Sequence, residues 1–398
     1  MKAVAVIDGE HYPDVVRDAL AELPYEFVGA LIAGGTEKLR EAEADYGVPL
    51  VEELDGHGAE VVVDLSDEPV LGPRERFRWA SRALALGLPY VGPDFRLEPP
   101  AFEPFPLPSI AVIGTGKRIG KTAVTGYVAR LLARDRDVVV VAMGRGGPRE
   151  PEVAELRPTV EDLLKLSRAG RHAASDYLET AALAGVVTVG CRRAGGGLAG
   201  AVFASNVHEG ARLAAERRPD VVVFDGSGAA VPPVAVDRRI LVTGERQQLD
   251  AGLNAYRVIV SDLVVLTSGG EELRRAIREL KDVPVVRAEL RLHPVEPLAG
   301  GRVAVFTTGP APVEHLDADV VAVSRNLADR RALREDLRRL DADVYLVEIK
   351  AAAIDVVAEA AHERGVQVVF ADNDVVPLDG EPDLAAAVRA LVPERAVA

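Results

Sequence analysis

The chain of 398 residues carries 47 Lys and Arg against 62 Asp and Glu, a formal net charge of −15. That sign argues against a general affinity for nucleic acid or an anionic membrane surface, so any anionic ligand must be drawn in by local cations. Apolar residues make up 48% of the chain, yet no run approaches the ~18 needed to span a bilayer, so the expectation is a globular protein of two or three domains.

The opening Met1-Lys2-Ala3-Val4-Ala5-Val6-Ile7-Asp8 reads as a strand over residues 2–7 and not as a signal peptide, because the apolar run is short and ends in Asp. Helical spacing predicts helices over Asp14–Leu23, Thr36–Tyr46 (Thr36 as N-cap, Gly47 just past the end) and Glu75–Leu86. Strands are expected at Tyr25–Ala33, Val48–Val51, Glu60–Leu65 and Leu88–Val91. This alternation predicts a small Rossmann-like α/β domain over residues 1–96. Its first loop sits at a strand's C-terminal end, where such sheets bind ligands, so Asp8 and His11 either contact substrate or cap the turn.

Residues 97–108 contain Pro99, Pro100, Pro104, Pro106 and Pro108 and read as a stiff linker. The stretch after it organises the chain. An apolar strand, Ile110–Ile113, enters Gly114-Thr115-Gly116-Lys117-Arg118-Ile119-Gly120-Lys121-Thr122, and an apolar-periodic helix follows from Ala123. Strand, glycine loop, Gly-Lys-Thr and helix form a P-loop, in which backbone N–H groups and a helix N-terminus converge on phosphate. Residues Gly116 to Ala123 are the expected ATP cradle, with Lys121 on the β- and γ-phosphates and Thr122 on Mg²⁺. The first glycine stands at Gly114, one place before its usual position, which tolerates Thr115 only if its φ is negative.

Asp137–Met143 is a central strand, ending in a loop with Arg145 and Arg149, which are suited to clamping phosphate or carboxylate. A helix is predicted over Val160–Ala169, and Ser175 or Asp176 caps the next. Val186–Gly190 is a short strand, followed by Cys191-Arg192-Arg193-Ala194-Gly195-Gly196-Gly197, where two arginines feed a glycine run suited to an anion. Cys191 is the only cysteine; it excludes an internal disulfide, fits a reducing cytoplasmic setting and reads as structural. Asp220-Val221-Val222-Val223-Phe224-Asp225 resembles a Walker-B strand, with Asp225 holding Mg²⁺ opposite Thr122. Strands at Ile240–Thr243, Leu263–Leu266 and Val283–Leu290 complete a P-loop domain over residues 109–298. The remainder, residues 299–398, reads as a third α/β module, with strands Val303–Thr307, Val344–Ile349 and Val366–Ala371 and helices Ala328–Leu340 and Ile354–Arg364. Glu348, Lys350, Asp372 and Asp374 lie at its strand ends, solvated or lining a cleft. The fold class is therefore α/β: a central P-loop domain with a mostly parallel sheet, flanked by smaller Rossmann-like modules.

The P-loop has the spacing found in dethiobiotin synthetases, and Asp225-Gly226-Ser227-Gly228 resembles their Glu-Gly-Ala-Gly loop. A wider set resembles the cyclic 2,3-diphosphoglycerate synthetase family over nearly the whole chain. It comprises Asp8-Gly9-Glu10-His11-Tyr12, Met143-Gly144-Arg145-Gly146-Gly147-Pro148, His172-Ala173-Ala174-Ser175-Asp176, Cys191-Arg192-Arg193-Ala194-Gly195-Gly196-Gly197 and Glu348-Ile349-Lys350-Ala351-Ala352-Ala353. The resemblance implies an ATP- and Mg²⁺-dependent ligase that forms an intramolecular phosphoanhydride in 2,3-diphosphoglycerate. Catalysis then falls to Lys121, Asp225, Arg145, Arg149, Arg192 and Arg193, and substrate contact to these arginines with Asp8 and His11. The partner is a small molecule, and a homodimer is expected. The alternatives are a P-loop ligase or kinase on another small acid, or an ATP-driven switch acting on a partner protein.

Overall fold

The computed structural model describes residues 1–35, 45–298, 300–309 and 311–393. The expected helix at Thr36–Tyr46 lies outside the described residues for all but its last two positions. The N-terminal sheet runs β2-β1-β3-β4-β5, from β1 (Lys2–Asp8), β2 (Glu26–Gly34), β3 (Val61–Asp64), β4 (Tyr90–Val91) and β5 (Arg96–Leu97). Its pairings are parallel except β4 with β5. Helices α1 (Pro13–Glu22) and α2 (Pro73–Ala85) both start on proline, whose fixed φ suits a first helical turn. The strand expected at Val48–Val51 is only an isolated bridge between Leu50 and Ala30, since Pro49 has no N–H to extend a ladder.

The proline-rich segment is packed, not free. It contains β6 (Glu103–Pro104). The next strands are β7 (Ser109–Gly114), β8 (Val138–Gly144), β9 (Glu152–Ala154), β10 (Val187–Ala194), β11 (Ala204–Ser205), β12 (Val221–Asp225), β13 (Val234–Ala235), β14 (Arg238–Thr243), β15 (Leu263–Leu266) and β16 (Val285–Pro294). β6 pairs with β13, and Phe105 meets Phe224 edge-on with centroids 5.1 Å apart. The last strands are β17 (Arg302–Phe306), β18 (Asp319–Ser324), β19 (Val344–Glu348) and β20 (Gln367–Pro377).

The P-loop region and the C-terminal module share one sheet, ordered β11-β10-β8-β12-β7-β14-β15-β16-β20-β19-β17-β18, with β9 beside β10. Two strands fuse them. β16 runs past the expected Leu290 to Pro294, and β20 past Ala371 to Pro377, because they pair antiparallel from Ala288↔Pro377 to Pro294↔Ala371. This ladder alternates polar pairs, such as Arg291 with Asp374, with apolar ones, such as Leu290 with Val375, so no unbroken apolar run advertised it. The expected helix Ile354–Arg364 is a π-helical turn, Ala353–Ala358, followed by an α-helix, Glu359–Arg364. The N-terminal domain docks through α2: Arg74 and Arg78 reach Asp250, while Leu253 and Tyr256 enter its apolar core.

Cys191 lies inside β10, not in the turn after it, and is buried with Val189 and Val141. Burial pushes its thiol up to about 12, which fits an inert structural residue. The helix Val207–Glu216 crosses this point at Gly210, where an added Cβ would overlap the Cys191 sulfur. Gly210→Ala should therefore cost about 1–3 kcal/mol through overpacking. In a Cys191→Ala background the same change should cost much less. Melting of the four proteins measures this, and strictly additive losses would show that the contact does not set the packing.

Candidate functional site

β7 delivers the chain to the phosphate loop, and α3 (Lys121–Leu132) starts at Lys121; the helix predicted from Val160 follows as α4 (Val160–Arg168). The turn uses two left-handed residues, Arg118 (φ 60°) and Gly120 (φ 78°). Thr115 is not left-handed, which meets the condition for its place in the motif, and its hydroxyl lies 2.8 Å from that of Thr243. Lys121 Nζ donates to Asp225 Oδ1 at 2.5 Å, and the Thr125 hydroxyl donates to the same oxygen at 2.7 Å. The other oxygen, Asp225 Oδ2, is buried and lacks a hydrogen-bond partner among the described residues. A buried carboxylate oxygen without a partner, on a residue that holds the phosphate-loop lysine, is the kind of donor a divalent cation takes, and Thr122 lines the cavity onto which that loop opens. Thr122 and Asp225 thus fit Mg²⁺.

The loop opens into a cavity of about 700 Å³. One side is Gly116 to Ala123 without Ile119, with Arg145, Ser227 and Gly228; the other is the C-terminal module, through Thr307, Thr308, Glu348, Lys350 and Asn373. Between them runs α5 (Asp176–Ala184), which projects Asp176 and Glu179, one turn apart, into the cavity. Sequence reasoning placed Asp176 only as a cap and overlooked Glu179. Their i, i+3 spacing on an otherwise apolar helix was the available signal. Asp176 approaches β8 so closely that a Cβ on Gly144 would sit 2.9 Å from its Oδ2. Burial raises the Asp176 pKa against the pull of Lys121, and the charge of Asp225 raises it further.

Glu348 and Lys350 belong to this cavity and are not solvated strand ends. Lys350 Nζ lies 3.7 Å from both Glu179 Oε1 and Glu348 Oε1. Glu348 accepts from the Thr308 N–H at 2.9 Å. Burial pushes the Glu179 pKa up to about 8, although Lys350 opposes the shift. For Lys350, burial works against the charge, but Glu179, Glu348 and Asp372 outweigh it and the pKa rises. Asp372 is tied to Arg130 of α3, and its neighbour Asn373 lines the cavity.

The predicted arginines separate. Arg145 lines the cavity, and no carboxylate among the described residues lies within ion-pair distance of it. Arg193 donates to the Ser227 carbonyl at 2.8 Å, so the two guanidinium groups flank Gly228. Arg192 and Arg193 sit inside β10, whose alternation sends them to opposite faces; Arg192 is exposed and lines neither cavity. Arg149 lines a second, smaller cavity. Asp8 and His11 line no part of the main one. Asp8 is buried, accepts from the Asp67 and Glu10 N–H groups at 2.7 and 3.0 Å, and meets His11 Nδ1 at 2.8 Å. Burial opposes its charge, yet these bonds hold its carboxyl below the usual range.

Three domain descriptions match this chain in sequence. Cyclic 2,3-diphosphoglycerate synthetase, N-terminal domain, matches residues 2–98; its P-loop domain matches 109–288, and its C-terminal domain 294–374. Cyclic 2,3-diphosphoglycerate synthetase of Rubrobacter xylanophilus is 52% identical over 96% of both chains. That of Thermococcus kodakarensis is 42% identical over 95% of both. A solved structure of LpxK from Aquifex aeolicus in complex with ATP superposes with a TM-score of 0.45 at 16% identity, covering 74% of this chain and 91% of that one. With matches along all three regions and identity this high over nearly full length, the chain belongs to the cyclic 2,3-diphosphoglycerate synthetase family.

Proposed function

We propose that the protein closes 2,3-diphosphoglycerate to its cyclic form, converting ATP to ADP and phosphate. The observation that carries the reading is a P-loop opening onto a cation-lined cavity, in a chain of net charge −15 from this family. The substrate's phosphates are themselves nucleophiles, so no Ser-His or Cys-His pair is required. An oxygen of one substrate phosphate attacks the γ-phosphorus of ATP, and the bond to ADP breaks. The neighbouring phosphate then attacks the phosphorus so activated, inorganic phosphate leaves, and the P–O–P ring closes. What the protein supplies is alignment and charge neutralisation.

In this reading Lys121 exchanges Asp225 for the β- and γ-phosphates, and Lys117 and Arg118 border the triphosphate. Arg145 and Arg193 neutralise the reacting phosphates beside Gly228. Mg²⁺, when held by Thr122 and Asp225, screens phosphate charge. A homodimer in the cytoplasm completes the proposal. The reduced, buried Cys191 fits that compartment, no helix among the described residues is long and apolar enough to cross a membrane, and Phe203, 99% exposed beside the edge strand β11, is apolar surface that a second copy would cover.

Phosphorus NMR of the protein with ATP, Mg²⁺ and 2,3-diphosphoglycerate tests the reaction. ADP, phosphate and a cyclic phosphoanhydride signal should grow together, and Lys121→Ala should slow them by on the order of 10²–10³. ATP turnover indifferent to the phosphorylated acid would sink the substrate assignment.

Glu179 makes the activity pH-dependent. Below about 8 it carries a proton, and with Lys350 and Glu348 the cavity wall is neutral; above, the wall gains a negative charge that repels a polyanion. The KM for 2,3-diphosphoglycerate should rise from pH 7 to pH 9, and rise less in Glu179→Gln. Because the folded chain holds this proton more tightly than the unfolded one, whose carboxyl titrates near 4.5, stability should fall as pH climbs from 4.5 towards 8. Melting against pH should be flatter for the Gln variant; parallel curves would contradict a raised Glu179 pKa.

A further inference from the structure

A second cavity, of about 250 Å³, adjoins the first and shares Gly146 and His172 with it. The loop after β8, the antiparallel strand β9 and the start of α5 enclose it. Its polar lining is Arg149, Glu152, Arg171, His172, Ser175 and Tyr177. No residue of this set enters the reaction proposed above.

Ser175 is the clue. It occupies the N-cap of α5, a nine-residue helix, where a serine ordinarily accepts a hydrogen bond from the first turn. Here it makes no such bond. The residue is 3% exposed, and its hydroxyl has no partner among the described residues. A buried hydroxyl left open at a helix N-terminus costs free energy unless a ligand satisfies it. The N–H groups of that first turn and the helix dipole favour an anion at the same point.

The charges agree. Glu152 is the one carboxylate in the lining, and it is engaged by Arg171 and by the Tyr177 hydroxyl at 2.9 Å. Arg149 is exposed and lies within ion-pair distance of no carboxylate among the described residues. Two guanidinium groups against one carboxylate leave the lining cationic.

We propose that this second cavity binds a compact oxyanion, held by Ser175, the N-terminus of α5 and Arg149. Two sources share that chemistry: an anionic group of the phosphorylated acid that does not react, or the inorganic phosphate that is released. Their naming rests on the proposed reaction; the binding itself does not.

The test fills the P-loop of the full chain with Mg²⁺ and a non-hydrolysable ATP analogue, then titrates inorganic phosphate by calorimetry. Arg149→Gln should weaken phosphate about tenfold or more, the scale of a lost charge-assisted hydrogen bond, and Ser175→Ala severalfold. No phosphate binding by the wild type, or affinities within twofold in both variants, would overturn the site. Arg149→Gln is an exposed change that should leave folding intact. Turnover then separates the sources. A substrate group is indicated if Arg149→Gln raises the KM for 2,3-diphosphoglycerate while that for ATP holds. Released phosphate is indicated if only product inhibition weakens. A protein that binds phosphate as described yet never turns over 2,3-diphosphoglycerate would refute the reaction and leave the cavity standing.

Discussion

The antiparallel ladder between β16 and β20 is the constraint on which the site depends. β16 pairs with β15 only through Val285–Arg287 and then continues beyond it. β20 joins this overhang in reverse, and β19 pairs parallel to β20, ending at Glu348 level with Ala371 and hence with Pro294. The reversal turns the C-terminal ends of β17 and β19 back towards those of β7, β8 and β12. In open α/β sheets these ends carry ligand-binding loops. Two sets of such loops therefore face each other across one cavity. Leu290 in the overhang bears on the phosphate loop directly: a Cβ on Gly120 would lie 2.6 Å from its Cδ1. The Arg130–Asp372 ion pair ties α3 to β20 as well. The C-terminal module is thus a wall of the site.

That geometry also fixes the electrostatics. A chain of net charge −15 repels polyanions at a distance, so binding depends on short-range cations. The structure holds them in two ways. Lys121 is paired with Asp225 and can trade that carboxylate for phosphate, so its charge is never buried unpaired. Arg145 and Arg193 are held near each other about Gly228, and the Arg193 pKa is shifted down, chiefly by burial and then by Arg145. Bringing an anion between them relieves a repulsion that exists without it. The acidic residues of the cavity are balanced locally: Asp176 lies within reach of the charges of Lys121 and Arg145, and Lys350 sits between Glu179 and Glu348.

The sequence made the α/β class and the nucleotide end of the site readable, because both rest on local patterns. A buried strand, glycines and Gly-Lys-Thr form one continuous stretch, and Asp225 ends an unbroken apolar run. Long-range features were opaque. The ladder that fuses the sheet includes polar partners such as His293 with Asp372, which look like exit loops in one dimension. Arg192 and Arg193 appeared equivalent because the strand was expected to stop at Gly190; β10 runs four residues further, to Ala194, and separates them by face. Asp8 had the right address for a ligand, at the end of a parallel strand, but its hydrogen bonds are spent on its own loop and on the Asp67 N–H after β3. Glu348 and Lys350 were recognisable as strand-end charges, but only the folded chain brings Glu179 to them.

One further group shows how the loops are held without spoiling this balance. Arg257 is buried at 1% exposure and has no carboxylate partner among the described residues. Its Nε donates to the Ala229 carbonyl at 2.9 Å, and Nη1 to Leu198 O at 3.0 Å and Asn254 Oδ1 at 2.7 Å. Asn254 in turn donates to Thr115 O at 3.2 Å. One guanidinium thereby joins the glycine-rich loop after β10, the loop after β12 and the phosphate loop. Burial lowers its pKa only to about 10, so it keeps its charge near neutrality. Neutral carbonyl dipoles satisfy a buried cation less strongly than a carboxylate does, which raises the cost of burial. A carboxylate here would cancel the positive potential of Arg257 beneath loops that must receive phosphate. Carbonyl partners satisfy its N–H groups and leave that potential in place, so the fastening of the loops adds to the field that draws the ligand.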